Sequence, residues 1–187
     1  MNFGWDETEA MIRDMVRSFV DGRVRESAMR WNEGHGSAAE VLRELGELGL
    51  LGLLMPESKG GADLGALSLV TTLTELAEGD AGLASMVAHH NALGLMHLHL
   101  AAWNDKELMA TFCSGDKLLC HADFDGGAHA DAPIVSATAI KQTEQWHVTG
   151  TKRWVPLGSQ ASHAIVSADT EQGAHAFLID LTAKGVD

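Results

Sequence analysis

Apolar side chains in the first 113 residues recur three and four positions apart, the spacing that lines one face of a helix. Ile12, Met15, Val16, Phe19 and Val20 form the first such stripe, and Asp6 with Glu9 stands before it as a capping box. Ser37 and Glu40 make a second box ahead of Val41, Leu42, Leu45 and Leu48. From Pro56 to Gly65 the pattern breaks, and Gly60-Gly61 supplies turn conformations without steric cost. Further helices are predicted from about Ala66 to Glu78 and from Gly82 to Leu100, the latter behind a capping Asp80. A short one, opened by Asn104 with Glu107, ends near Cys113.

After Ser114-Gly115-Asp116 the period shifts to two. Leu118–Phe124, Ile134–Ile140, Trp146–Trp154, His163–Ala168 and Ala174–Asp180 are predicted strands, with a hairpin connection between Ile140 and Trp146. Strands with no helix between them predict an antiparallel sheet or partial barrel rather than a parallel dinucleotide-binding sheet. The fold class is therefore α+β. An N-terminal α-helical bundle, residues 1–116, precedes an antiparallel β domain, residues 117–187. Leu181–Asp187 stops just after a strand, and sheet edges need cover. The expectation is a fragment, or a chain whose core a partner completes.

Composition narrows the classes. Apolar residues make up 45% and charged residues 21% of 187, which is globular rather than disordered. Thirteen Lys and Arg against 26 Asp and Glu give a net charge of −13, so neither nucleic acid nor an anionic membrane surface is an expected partner. The longest apolar stretch, Leu48 to Met55, is far short of the roughly 20 residues a bilayer span needs. The first residues lack the basic start and apolar core of a signal peptide. Cys113 and Cys120 fit no CxxC spacing and are too few for a disulfide framework, so a reducing, cytoplasmic location is the expectation.

Little chemistry can be assembled from spacing alone. His89, His90, His97 and His99 crowd one predicted helix, and His90 and His97 share a face. Without an HExxH or Glu-x-x-His pattern they read as partly buried helix histidines. His121, His129 and His147 are scattered, and Ser58 and Ser159 read as loop hydroxyls. No nucleophile elbow, P-loop or Gly-x-Gly-x-x-Gly is present. The cysteines have no basic neighbourhood that would lower a thiol pKa.

Several stretches, in order, resemble the acyl-CoA dehydrogenase family. Leu42 to Gly61, ending Leu-Met-Pro-Glu-Ser-Lys-Gly-Gly, is similar to that family's helix, apolar turn and Pro-Glu-x-x-Gly-Gly loop. Leu73 to Ala84, followed by His90-Asn91, resembles the next helix pair. Phe112 to Leu118 resembles the entry into the β domain, and Gly150-Thr-Lys-Arg-Trp154 the strand that packs on the flavin. The resemblance implies FAD as cofactor, an acyl-CoA thioester as substrate and a role in fatty acid metabolism. It also implies a C-terminal four-helix bundle, which carries the glutamate that removes the α-proton while the β-hydride passes to the flavin. No residue of this chain matches that base, so no catalytic residue is assigned.

The cofactor-binding positions implied by the resemblance are Phe124, Asp125, Ala130, Trp154, Val155 and Pro156. Three of them depart from the family pattern in a way that removes a contact. Phe124 replaces a threonine that serves the flavin ring, Ala130 a serine that binds pyrophosphate, and Pro156 a threonine near flavin N5. Pro156 also removes a backbone donor. Losing two ring contacts and one phosphate contact costs on the order of 3–5 kcal/mol, or two to four decades of affinity. Backbone amides from Gly126 to Asp131 and a cationic His129 are the remaining phosphate donors.

The leading expectation is an FAD-dependent acyl-CoA dehydrogenase-like fragment or subunit. It would carry out α,β-dehydrogenation once completed by a bundle, in a homo- or hetero-oligomer with a bundle-bearing chain. The alternative is a non-catalytic, flavin-poor partner subunit of such a complex. A flavin-dependent monooxygenase is a third class, which nothing in these residues favours.

Overall fold

The computed structural model describes residues 6–125 and 137–187. The chain divides into two compact units, Met1–Lys117 and Leu118–Asp187.

In the first unit the helices follow the apolar stripes. Helix α1 (Glu7–Phe19) starts where Asp6 accepts from the amides of Thr8 and Glu9, at 2.8 and 3.0 Å, and it buries Ile12 and Val16. It runs through a π-helical turn, Val20–Val24, into α2 (Arg25–Asn32). Helix α3 (Ala39–Glu47) does not use its predicted cap. Ala38 occupies that position with a helical backbone, and Ser37 Oγ reaches only the Ala39 amide, at 3.4 Å. Helix α4 (Ala66–Gly79) lies parallel to α1. Arg17 forms a two-pronged pair with Glu75, both contacts 2.9 Å, and Ser68 donates to Glu9. Gly79 permits the approach, because a Cβ there would meet Val20 Cγ1 at 2.7 Å.

The predicted helix from Gly82 to Leu100 is three pieces: α5 (Ala81–Ala88), a π-helical stretch His89–Leu95, and α6 (Met96–Leu100). Asp80 caps α5 through the Leu83 amide at 2.6 Å. Asp105, not Asn104, caps α7 (Lys106–Cys113), through the Leu108 amide. A π turn carries one extra residue, which re-aims the side chains around it. Here it buries His90 and Asn91 completely. His90 Nε2 lies 3.0 Å from the Phe112 carbonyl. Asn91 donates to the Leu50 and Val87 carbonyls and accepts from the Leu53 amide. It thereby satisfies a buried turn that has no regular secondary structure. The fully buried side chains of this unit include Leu42, Leu45, Leu50, Leu51, Leu53, Met55, Leu76, Leu95, Met109 and Phe112.

The second unit is one five-stranded sheet: β1 (Leu119–Ala122), β2 (Thr138–Gln142), β3 (Gln145–Thr149), β4 (His163–Thr170) and β5 (Gly173–Asp180). It is mixed, not antiparallel throughout. β4 is central. β5 pairs antiparallel along its whole length, while on the opposite edge β1 runs parallel from Leu119↔His163 to Ala122↔Val166. β2 joins that edge, parallel, at Thr138↔Asp169, and forms the expected antiparallel hairpin with β3. The α+β class holds, and only the β1–β4 and β2–β4 pairs depart from the antiparallel expectation, because a parallel pair needs a long crossover but not necessarily a helical one. Residues 150–162 carry the chain back without a helix. No strand pairs with the outer edge of β5 among the described residues.

One face of the sheet is apolar. Ala137, Ala139 and Ala168 form a small core with Val148 and Phe177, and the Phe177 and Trp146 rings lie 5.3 Å apart. Cys120, Ala122, Ala164, Val166 and Ile179 continue that face and line a cavity of about 720 Å³.

Candidate functional site

The cofactor-binding positions named from the sequence fall on two segments of the second unit. Phe124 and Asp125 follow β1, and Trp154, Val155 and Pro156 lie in the connection leading to β4. Ala130, with Gly126–Asp131 and His129, lies outside the described residues. The backbone joins the two segments, since the Arg153 amide donates to the Phe124 carbonyl at 2.8 Å. Gly150 allows this path past β2; a Cβ there would stand 2.5 Å from Ala137 Cβ.

The Asp125 carboxylate is turned inward and only 4% exposed, whereas the Phe124 ring is turned outward at 42%. Trp154 is 86% exposed on a left-handed backbone, φ +54. Such a conformation costs a non-glycine residue on the order of 1–3 kcal/mol, and outliers of this kind gather at functional sites. Val155 lines the cavity, Pro156 is half-buried, and Leu157, also at positive φ (+68), is buried. The structure thus brings Phe124, Asp125, Trp154, Val155 and Pro156 into one neighbourhood, with two aromatic faces open.

Beneath the aromatics lies a charged cluster that the sequence reading did not single out. Lys152 Nζ is 2.6 Å from the Asp125 carboxylate, and it donates to the Ser167 hydroxyl at 2.9 Å and to the Asp123 carbonyl at 3.3 Å. Ser167 in turn donates to the Asp123 carboxylate. Lys152 stood inside the stretch that carried the resemblance. Its partners are invisible to any local period, because they sit 27 and 29 residues upstream and 15 downstream.

The other candidates supply no site. Burial pushes the Cys113 and Cys120 thiols up to about 11, the wrong direction for a nucleophile. Among the described residues, no group of three or more His, Cys, Asp or Glu side chains is arranged to hold a metal ion.

An isoalloxazine-type ring fits what is present in one respect and not in another. Two open aromatic faces suit stacking on a planar ring. Hydroxyl donors at Phe124 and Pro156 are lacking. The fit is apolar stacking with few side-chain hydrogen bonds.

Comparison with known proteins settles the lineage. The family model described as acyl-CoA dehydrogenase, N-terminal domain, matches residues 6–114, more than half of the chain. This chain belongs to the acyl-CoA dehydrogenase family. The human mitochondrial short-chain specific acyl-CoA dehydrogenase is 31% identical across 96% of this chain, which covers 45% of that enzyme. A crystal structure of glutaryl-CoA dehydrogenase from Mycobacterium smegmatis superposes with a TM-score of 0.87 at 31% identity, over 97% of this chain and 47% of that one. An acyl-CoA dehydrogenase from Bacillus anthracis complexed with FAD gives 0.90 at 25% identity, over 98% and 32%. The chain therefore spans about half or less of the length of these acyl-CoA dehydrogenases, and its α+β architecture is theirs. No helix among the described residues is long and apolar enough to cross a membrane.

Proposed function

We propose that this chain forms part of an FAD-dependent acyl-CoA dehydrogenase-like site, which becomes competent for α,β-dehydrogenation of an acyl-CoA thioester when a C-terminal helical bundle completes it. The observation that carries the reading is Trp154, an 86% exposed aromatic on strained backbone, next in sequence to Arg153, whose amide donates to the Phe124 carbonyl. A large apolar face is kept in water at a conformational cost only where something covers it.

In this reading Trp154 and Phe124 hold the ring of FAD by stacking, and Val155 and Pro156 keep water from its edge. When bound, FAD supplies the two-electron acceptor that the dehydrogenation requires. The chain's own residues orient and desolvate; none is assigned to move the α-proton, which falls to the bundle. The expected assembly is a homo- or hetero-oligomer that brings a bundle to this chain.

A specific observation favours a second reading, a flavin-poor partner subunit. Pro156 offers neither a hydroxyl nor an amide where the family has a threonine.

Titration of the purified chain with FAD, followed by flavin fluorescence quenching, separates the two. Saturable binding that Trp154→Ala weakens by about tenfold supports the first, since stacking on an aromatic contributes on the order of 1–3 kcal/mol. If the chain takes up no FAD alone or with a bundle-bearing family member, the partner-subunit reading replaces it.

A further inference from the structure

We infer that Lys152 is the positioning residue of this site: its buried ammonium sets Phe124 and Trp154 as two sides of one aromatic ledge. The inference rests on the flavin reading for the ledge's purpose, and on geometry alone for its construction.

An ammonium has three N–H donors and no acceptor. Lys152, its side chain only 8% exposed, finds three oxygens: the Asp125 carboxylate, the Asp123 carbonyl and the Ser167 hydroxyl. They come from two separate segments, the residues after β1 and strand β4. The Ser167 hydroxyl donates to the exposed Asp123 carboxylate, tying that residue to β4, while the Asp125 carboxylate is drawn inward. The residue before Asp125 keeps its own side chain exposed instead. That residue is Phe124, and its carbonyl is then presented to the Arg153 amide at 2.8 Å. Arg153 lies between Lys152 and Trp154, so the same anchor fixes where the left-handed turn begins. Arginine could not substitute, because a planar fork does not reach three acceptors arranged as a tripod.

A structural ion pair and a positioning device differ in what a charge-balanced replacement restores. Lys152→Met alone strands a buried carboxylate; combining it with Asp125→Asn removes that charge and should bring the melting temperature back close to that of the parent. The positioning role predicts that the double variant still shows at least tenfold faster hydrogen exchange at the Arg153 amide, read by NMR against each sequence's intrinsic rate. Amides pairing β4 with β5 should keep their protection. FAD affinity should remain at least tenfold weaker despite the recovered stability. Should Lys152→Met fail to fold, Ser167→Ala removes one acceptor without burying a charge, and a several-fold rise at Arg153 is expected.

The inference is overturned if the double variant protects the Arg153 amide within twofold of the parent, or if protection falls uniformly across the second unit. If the parent chain binds no FAD, the flavin reading fails, while the Arg153 exchange still decides the positioning role.

Discussion

Trp154 holds a conformation that suits glycine better than tryptophan, so its side chain and its backbone pull in opposite directions. Trp154→Gly relieves the left-handed strain and, because the ring is 86% exposed, removes little packing. We expect the variant to be more stable by about 1 kcal/mol in urea unfolding and, on the flavin reading, to bind FAD about tenfold more weakly. Loss of stability would show that the ring packs on the chain itself. The two cysteines are a simpler case. With thiols at about 11 rather than 9, the thiolate fraction near neutrality falls about a hundredfold. Alkylation of the native chain should be slower than that of a free cysteine by at least that factor, and normal rates would contradict the burial. At this scale Phe124 and Trp154 were legible because an ordered resemblance reached them. Lys152's role was not, since pairing across 15 to 29 residues depends on how a connection folds back.

Elements add effects that single residues lack. Asn91 sits on a π-helical turn and answers two backbone groups of a buried, irregular stretch, and the Val87 carbonyl of α5 besides. Asn91→Leu preserves bulk but leaves the Leu53 amide and Leu50 carbonyl without partners, which should cost about 2–5 kcal/mol in urea unfolding. A smaller loss would mean that water enters the turn. The start of α1 makes stability depend on pH. The neighbouring Asp6 carboxyl, then burial, hold Glu9 above its usual 4.5. A raised acid favours the fold while protonated, so its contribution is complete below 4.5 and is lost as pH climbs through the folded value. Glu9→Gln should therefore flatten the fall in urea midpoint between about pH 4.5 and neutrality. An unchanged slope would assign that fall to other groups. Helix and strand positions were readable from period alone, as was Asp6's cap. Strand direction was not: period two reports which face a side chain takes, and says nothing about which way a neighbour runs. The π turns escaped for a related reason, because one inserted residue disturbs a helical stripe too little to break it.

The molecule as a whole carries 13 excess negative charges on 187 residues. Its lineage was legible at this scale because several weak similarities fell in the right order over most of the chain. The sheet's mixed topology was not, because it is a property of connections rather than of composition. The bare flank of β5 now acquires a consequence. Eight residues, Gly173–Asp180, present alternate amides and carbonyls to which no other strand is bonded among the described residues. Two such flanks could zip together, and mutual repulsion between like-charged copies is what opposes it. At about 1 M salt the screening length shrinks to about 3 Å. Light scattering should then show self-association that dilution of the electrolyte reverses, and that a proline in the middle of β5, at Ala176, prevents.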